Sequence, residues 1–275
     1  MCTSDYFKLS ADVFHVIPST HSAVTGIAVL NDQIYVSRWG TAQIAVYCPD
    51  TFQQLRVLSC TNARQHHGYG SQIRNMTACN TNNCLYASDQ YTHYIYRVDG
   101  DNNYSSSRWS DGGNPQGLSI TLSHNVLAAL QDDNTLCEYS TSGEMIREIS
   151  LQPAGITTPV YAVQLTDQQY AVAHHGPKHQ LSIVNTEGQL VKSYRGDQGH
   201  LNAPRGIAVD RRGRVMVADQ YNNRILVINP NTLSAYPLGL RDCELNVPFS
   251  LHYDTVNRRL YIGEWKGGRV ICCKL

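Results

Sequence analysis

The sequence has no excess of charge of either sign, because 22 lysines and arginines balance 22 aspartates and glutamates over 275 residues. A domain dedicated to nucleic acid usually carries a basic excess or a basic stripe, so this balance argues against that class, although one face of a neutral protein can still be basic. No apolar run approaches the roughly 18–20 residues of a membrane span. The first residues, MCTSDYFK, lack the apolar core of a signal peptide. We therefore expect a cytoplasmic protein with no membrane partner.

The motifs of familiar catalytic and cofactor sites are also missing. There is no Gly-x-Ser-x-Gly elbow, no phosphate-binding loop and no Cys-x-x-Cys pair with a second half, so neither a cofactor nor a structural zinc is expected. The nine cysteines are expected to be mostly reduced. Cys79 and Cys84 flank a predicted hairpin turn, where they either bond across the strands or fill the core as two thiols. Cys272 and Cys273 point to opposite faces of one strand, so one of these thiols is expected to be exposed.

What the sequence does contain is an internal repeat, which is clearest from Pro204 to Ile225. Ile207 and Val209 alternate with smaller or polar neighbours, a turn follows, and the alternation resumes in a second short strand. The position of Ile207 recurs, with weaker similarity, at Ile27, Met76, Leu118, Ala162 and Leu251, in steps of 49, 42, 44, 45 and 44 residues. This period is close to the roughly 40–45 residues of a four-stranded propeller blade.

The period predicts an all-β chain, a six-bladed β-propeller of four-stranded antiparallel blades that forms a single domain over residues 1–275. The blades are expected to start near Val24, Ile73, Pro115, Pro159, Pro204 and Pro248. Only three strands follow Pro248, whereas an alternating segment, residues 12–17, precedes the first blade. We expect this N-terminal strand to complete blade 6 and close the ring, because an open ring would leave a bare sheet edge.

The motif PRGIAVD followed by VADxxNxRI, from Pro204 to Ile225, resembles the NHL repeat. That family forms six-bladed propellers and is best known as the carboxy-terminal domain of tripartite-motif ubiquitin ligases and RNA regulators. The resemblance implies a module that recognises a protein or an RNA. The acid–arginine pair of the repeat is kept in Asp219/Arg224 and Glu264/Arg269, where it is expected to brace a turn.

Binding in propellers is concentrated on the face that carries the loops between the second and third strands and the connections between blades. All three tryptophans and eight of the eleven histidines fall in these loops. The tryptophans and the repeat-related Tyr91 and Tyr221 could equally be structural. The candidate ligand-binding residues are Arg38, Trp39, His66, His67, Tyr69, Arg74, Tyr91, His174, His175, Lys178, His179, Arg205, Tyr221, Trp265 and Lys266.

Three functions remain open for this face. A protein or peptide partner fits the mixture of exposed aromatics and both signs of charge. RNA is the alternative, since aromatic and arginine side chains stack on bases, but many acidic residues weaken that interpretation. A metal-dependent propeller lyase or esterase is the remote third possibility. Adjacent histidines such as His174 and His175 point apart, so no metal site is predicted.

The loop of blade 4 departs from its own repeat. It reads HHGPKHQ from His174, where blade 5 reads DQYNNR from Asp219. Gly176 and Pro177 are expected to lift Lys178 and His179 away from the body. An imidazole lifted in this way would gain charge in mild acid, and partner affinity would then depend on pH.

Overall fold

The computed structural model describes residues 9–18, 22–60, 72–89, 91–100, 106–111, 113–176, 178–194, 196 and 198–275. Their β-strands form six sheets, of which five are antiparallel and built from consecutive strands, while the sixth also includes the N-terminal strand. The innermost strand of every sheet contacts the innermost strands of both neighbouring sheets, so the six sheets surround one axis as blades. The helical segments in the described residues are two 3₁₀ turns, Gln152–Ala154 and Gln220–Asn222.

Blades 1 to 3 have four strands each, which follow one another along the chain from the innermost to the outermost. Blade 1 comprises Val24–Leu30, Gln33–Arg38, Gln43–Tyr47 and Gln54–Ser59. Blade 2 comprises Ile73–Cys79, Cys84–Asp89, Tyr94–Asp99 and Ser106–Asp111. Blade 3 comprises Pro115–Ile120, Val126–Leu130, Thr135–Tyr139 and Met145–Ser150.

Blades 4 and 5 repeat this order, and blade 6 has one additional short strand. Blade 4 comprises Pro159–Thr166, Gln169–His174, Gln180–Asn185 and Leu190–Ser193. Blade 5 comprises Pro204–Val209, Val215–Asp219, Arg224–Ile228 and Ala235–Pro237. Blade 6 comprises Pro248–Asp254, Arg259–Glu264, Val270–Lys274, Ser10–Ile17 and Gly239–Leu240.

The ring closes through the N-terminal strand. Ser10–Ile17 runs antiparallel to the last strand of the chain, with Val13 opposite Cys273 and Ile17 opposite Val270. This confirms the predicted six-bladed propeller and its mode of closure. The fifth strand of blade 6 was not predicted: Gly239–Leu240 pairs in parallel with the start of the N-terminal strand and covers part of its outer edge.

The core consists of six apolar clusters, one at each interface between neighbouring blades. This arrangement corrects the expectation for the paired cysteines, because Cys272 and Cys273 are both fully buried. Their strand lies inside the sheet of blade 6, so Cys272 packs against blade 1 and Cys273 against blade 5. Cys79 lies directly opposite Cys84 in blade 2, and both thiols are free.

In blades 1, 3 and 5 the close approach of the innermost strands requires glycine near the start of the strand, at Gly26, Gly117 and Gly206. A Cβ atom on Gly206 would lie 2.7 Å from the backbone nitrogen of Leu251 and 2.9 Å from the carbonyl oxygen of Phe249. A Cβ on Gly117 would lie 2.6 Å from the carbonyl oxygen of Val160. Both contacts are with the backbone of the next blade, so side-chain movement cannot relieve them.

Deleting residues 1–18 is expected to lower the melting temperature of the whole domain in one cooperative transition. The deletion exposes the edge of Val270–Lys274 and uncovers part of the core between blades 5 and 6. Differential scanning calorimetry checks the result. An unchanged melting temperature in the truncated protein would contradict closure by this strand.

Replacing Gly206 with alanine is expected to lower the free energy of unfolding by about 1–3 kcal/mol, because the added methyl group meets backbone atoms that must shift. Gly239→Ala is the matched control, since a Cβ there comes no closer than 3.9 Å to any atom. Denaturant titrations of both variants measure the difference. Equal stability of the two variants would show that the inner strands can move apart at little cost.

Candidate functional site: the mouth of the central channel

All six blades have a β-bulge at the same place, next to the start of the innermost strand. In blade 2, Ile73 pairs with Asp89 and Asn75 pairs with Ser88, so Arg74 is left without a partner in the ladder. The other five innermost strands show the same shift of register. A bulge bends the strand and redirects the side chain of the extra residue. The bulge residues are Thr25, Arg74, Gln116, Val160, Arg205 and Phe249.

The bulges lie at the end of the channel where the predicted loop face opens. Each innermost strand begins at this end, and the turn after the second strand returns to it, as the pairing of Pro248 with Glu264 in blade 6 shows. The residue that follows the second strand therefore stands beside the bulge residue. This second set is Trp39, Gln131, His175, Gln220 and Trp265 in the blades where it is described. Together the two sets form the channel mouth.

Three aromatic side chains contact one another at the channel mouth. The ring centroids of Trp39 and Trp265 are 5.2 Å apart, and those of Trp265 and Phe249 are 4.9 Å apart. Phe249 is buried, whereas both indoles are only partly buried. The two tryptophans thus join blades 1 and 6 and also offer apolar surface to a ligand.

Two arginines lie against these rings. The Cζ atom of Arg74 is 5.3 Å from the centroid of Phe249 and 5.9 Å from that of Trp39. The Cζ atom of Arg205 is 5.2 Å from the centroid of Phe249. Each Nε donates a hydrogen bond to a glutamine, Arg74 to Gln116 and Arg205 to Gln220, both at 3.2 Å. Neither arginine forms an ion pair with a carboxylate in the described part of the chain.

Burial and mutual repulsion act on these two cations. Burial lowers the pKa of Arg74. Burial, and then the positive charge of Arg74, lower the pKa of Arg205 to about 10. Both side chains remain charged at neutral pH, and their charged forms are less favourable than those of free arginines.

Two buried acids of the same face, Asp219 and Glu264, are already bonded within the fold. Asp219 accepts hydrogen bonds from Arg224 Nε at 2.7 Å and from the backbone of Asn202 at 2.7 Å. Glu264 likewise accepts from Arg269 at 2.6 Å and from the backbone of Asn246 at 2.7 Å. Each pair ties a turn to the preceding connection between blades. These acids therefore do not neutralise the arginines of the channel mouth.

Two of the predicted binding residues are buried and bonded within the propeller. Arg38 is only 8% exposed, and its Nη1 donates to the carbonyl oxygens of Ser22 and Gly268, at 3.0 and 2.6 Å. It links blade 1 to blade 6. His174 is 5% exposed, with its Nε2 3.0 Å from the hydroxyl of Ser182. Neither side chain presents its polar atoms to a partner.

The loop of blade 4 differs from its predicted shape. His179 is not lifted away: its Nδ1 accepts a hydrogen bond from the backbone of Ala203 at 2.9 Å, and its ring lies 5.2 Å from that of His175. His175 Nε2 lies 2.8 Å from the carbonyl oxygen of Pro204. The loop folds back on blade 5 because that backbone offers both a donor and an acceptor. Lys178 is exposed as predicted, and Pro177 lies outside the described residues.

Burial lowers the pKa of the two histidines that precede this turn, His174 and His175. Burial lowers the pKa of His174 to about 4, with a smaller contribution from His179. Burial, and then the nearby Arg205, lower the pKa of His175 to about 4. Both imidazoles are therefore neutral at the pH values where an exposed histidine would gain a proton.

The remaining predicted residues are at the rim or cannot be placed. Tyr91 is 40% exposed and Tyr221 is 60% exposed, and Lys266 is exposed. His66, His67 and Tyr69 lie outside the described residues. No group of three or more His, Cys, Asp or Glu side chains is placed to hold a metal ion in the described ranges. Over the same ranges, no helix is long and apolar enough to cross a membrane.

Phe249, Gln116 and Gln220 belong to the channel mouth but were not predicted. The repeat contained a usable signal for the first two. The residue after the first position of each innermost strand changes from threonine to arginine, glutamine, valine, arginine and phenylalanine, while the residues around it keep the repeat pattern. A position whose residue type varies, while its neighbours keep the repeat pattern, does not serve the packing that all blades share. Gln220 gave no such signal, since Gln90 matches it in blade 2.

A second concavity, of about 800 Å³, lies beside blade 4. Its walls include apolar residues such as Ile156 and Leu201, and its polar lining includes His174, Ser182 and Ser193. Lys178 is the lysine of this lining. The cleft lacks the paired arginines and the aromatic cluster of the channel mouth.

Acid is expected to destabilise the fold through its buried histidines. The pKa of His174, His175 and His252 is held at about 4 mainly by burial, whereas an unfolded histidine has a pKa of about 6.5. The unfolded chain therefore binds more protons between these values, and the free energy of unfolding falls as pH drops from about 6.5 to about 4.

Thermal denaturation at several pH values between 7.5 and 4.5 measures this slope. The double variant His174→Gln, His252→Gln is expected to have a shallower slope than the wild type. Arg212→Gln, which alters an exposed side chain and leaves every histidine in place, is the control and keeps the wild-type slope. An identical slope in the double variant would contradict the assignment.

Comparison with known proteins agrees with this architecture. Residues 201–228 match the family model of the NHL repeat, which confirms the resemblance seen in the sequence. The protein brain tumor of Drosophila melanogaster is 23% identical over 121 residues, which are 42% of this chain. The match spans only 12% of that protein's length.

Solved structures show the same fold at low sequence identity. Virginiamycin B lyase from Staphylococcus aureus superposes with a TM-score of 0.67 at 10% identity, covering 95% of this chain and 98% of that one. A protein of unknown function from Bacteroides thetaiotaomicron gives a TM-score of 0.71 at 11% identity, covering 97% of this chain and 74% of that one. At these identities the likeness concerns the fold alone.

Proposed function

We propose that this chain, an NHL-repeat β-propeller, is a non-enzymatic recognition module that binds a protein partner at its channel mouth. The observation that carries the proposal is the cluster of Trp39, Trp265 and Phe249 flanked by Arg74 and Arg205. Tryptophan and arginine are enriched among the residues that dominate binding energy in protein interfaces. The two tryptophans are partly exposed although they lie beside a concave opening, which is where such residues anchor a partner.

Binding is favoured over catalysis by the chemistry of the site. The arginines stay protonated, the neutral His175 is bonded to a backbone carbonyl, and no nucleophile stands beside a base at the channel mouth among the described residues. Elsewhere, His174 contacts Ser182, but both are buried, and Nδ1 of His174 has no hydrogen-bond partner to orient it. An acyl-transfer triad would need that third group.

A protein partner is favoured over RNA by the charge around the channel mouth. Asp132, Asp133, Asp242 and Glu244 are exposed on the loops of this face, where they would repel a chain of phosphates. Stacked arginine and aromatic side chains at the centre are the observation that favours RNA as a second candidate. The protein brain tumor match leaves both classes open, since it covers a small part of that protein.

The wider setting is also part of the proposal. The NHL repeat supports a role as the targeting domain of a cytoplasmic protein of the tripartite-motif type, in which the propeller selects the partner and other parts of the chain act on it. The propeller suits this role because its N-terminal strand and its last strand pair in one blade. The domain can therefore be attached to a longer chain without interrupting the ring.

The double variant Trp39→Ala, Trp265→Ala tests the proposal. Immobilised wild-type and variant propellers are used to capture proteins from the cells that express the chain, and the captured proteins are quantified by mass spectrometry. We expect the variant to capture each specific partner in an amount at least tenfold lower than the wild type does. Truncating such an anchor residue costs more than about 1.4 kcal/mol of binding free energy. Circular dichroism verifies that the variant is folded.

Phe14→Ala is the matched control, since Phe14 is an exposed aromatic that contacts Phe52 at the opposite end of the blades. This variant is expected to retain the partners. Treatment with ribonuclease before capture should leave the set unchanged. Loss of all specific partners after that treatment would favour RNA, and equal capture by the tryptophan variant would place the binding surface elsewhere.

A further inference from the structure

Two arginines from opposite sides of the propeller converge on its axis. Blades 2 and 5 face each other across a ring of six, yet the Cζ atoms of Arg74 and Arg205 lie 5.3 and 5.2 Å from the same Phe249 ring. The bulges direct both side chains inward at the same height of the channel. The two guanidinium groups therefore lie together at the centre of the channel mouth.

Both guanidinium groups are held in place from behind. Arg74 Nε donates to Gln116, whose Nε2 donates to Asn114 at 2.9 Å, and Asn114 in turn donates to Asp132 at 3.0 Å. Arg205 Nε donates to Gln220, which is 3% exposed. The terminal Nη atoms of both arginines have no hydrogen-bond acceptor among the described residues. Each guanidinium is thus oriented through its Nε and keeps its other donors available.

The charges of this arginine pair are not compensated. Their pKa values are lowered by burial and, for Arg205, by the other arginine, so holding both charges at the axis costs folding free energy. Of the buried acids on this face, Asp219 and Glu264 are bonded to Arg224 and Arg269, and Asp89 accepts hydrogen bonds from the backbone of Tyr91 and Thr92. An anion placed between the guanidinium groups would remove the repulsion and satisfy the open donors.

We propose that the Arg74–Arg205 pair is a carboxylate-binding subsite, which takes one aspartate or glutamate side chain of the protein partner. The inference rests on the proposed function and specifies which chemical group of the partner enters the channel mouth. A guanidinium presents its donors in a fork that matches a carboxylate in a bidentate manner. Phe249 supplies an apolar floor that shields these hydrogen bonds from water.

The subsite fits a single acidic group better than a polyanion. Its neighbours in the ring of bulges are Thr25 and Val160, which are buried and uncharged. The next charges outward on blade 3, Asp132 and Asp133, are negative and exposed. A single carboxylate can contact both arginines without approaching these acids, whereas a chain of phosphates would also lie close to them and be repelled. A short segment with one central acid and basic or neutral flanks is the ligand that this charge pattern selects.

Glutarate and the peptide acetyl-Lys-Gly-Glu-Gly-Lys-amide are the probes, titrated into the whole propeller at constant ionic strength. Tryptophan fluorescence is the readout, since Trp39 lies against Arg74. We expect saturable binding of both probes, at least tenfold weaker in Arg74→Gln and in Arg205→Gln. Arg212→Gln, which alters an exposed arginine in the turn at the opposite end of blade 5, is the matched control and binds as the wild type does.

Thermal stability separates a binding role from a structural role for the arginines. If the pair is an uncompensated subsite, each glutamine variant melts at or above the wild-type temperature, and glutarate raises the melting temperature of the wild type alone. A structural role predicts that both variants melt at lower temperatures than the wild type. That result would overturn the inference.

Two further outcomes would also overturn it. One is the absence of a saturable response to glutarate and to the peptide in the wild type. The other is a decamer of uridylate that binds more tightly than the acidic peptide and loses its binding in the same glutamine variants, which would assign the pair to RNA. If these probes fail while partner capture still depends on Trp39 and Trp265, the subsite alone is wrong and the proposed function stands.

Discussion

The convergence of six innermost strands on one axis is the constraint on which the rest of the structure depends. In blades 1, 3 and 5 this approach is so close that a Cβ on Gly26, Gly117 or Gly206 would lie within 3.0 Å of backbone atoms of the next blade. The strands start at the channel mouth, and each has a bulge beside this position. The bulge turns its own side chain out of the ladder. The same geometry that closes the ring therefore supplies six positions at the channel mouth.

The six bulge residues can differ in type because the packing of the innermost strands does not require the same contact from each of them. Thr25 donates a hydrogen bond to the carbonyl oxygen of Ile73 and serves the ring itself. Arg74 and Arg205 instead keep open donors, while the buried acids Asp219 and Glu264 are bonded within the loops. These buried acids thus stabilise turns, whereas the two arginines at the axis have no carboxylate partner in the described ranges. Their open donors are the observation on which the proposed carboxylate subsite rests.

Much of the fold could be predicted from the sequence. Apolar alternation with a period near 44 residues identifies the blades, and the missing strand after Pro248 identifies the segment that closes the ring. The extra pairing of Gly239–Leu240 could not be predicted, because a two-residue parallel strand has no apolar period. The burial of Cys272 and Cys273 was missed for a different reason. Their strand is covered by a neighbouring blade on each side, so neither of its faces is exposed.

The site was less predictable, because loops were expected to present their side chains to solvent. Arg74 and Arg205 were identified, but as loop residues rather than as members of the innermost strands. His179 was expected to project outward, whereas the backbone of Ala203 holds it against blade 5. Such contacts between blades join residues far apart in the repeat, and a single sequence does not reveal them. Phe249 was not among the predicted residues, since only polar, charged and repeat-breaking loop residues and exposed aromatics were considered.

The most direct measurement of the central claim is a crystal structure of the propeller determined with glutarate at saturating concentration. We expect one carboxylate on the channel axis, within hydrogen-bonding distance of the Nη atoms of Arg74 and Arg205 and over the Phe249 ring. Glutarate bound elsewhere, with only solvent between the two guanidinium groups, would contradict this expectation.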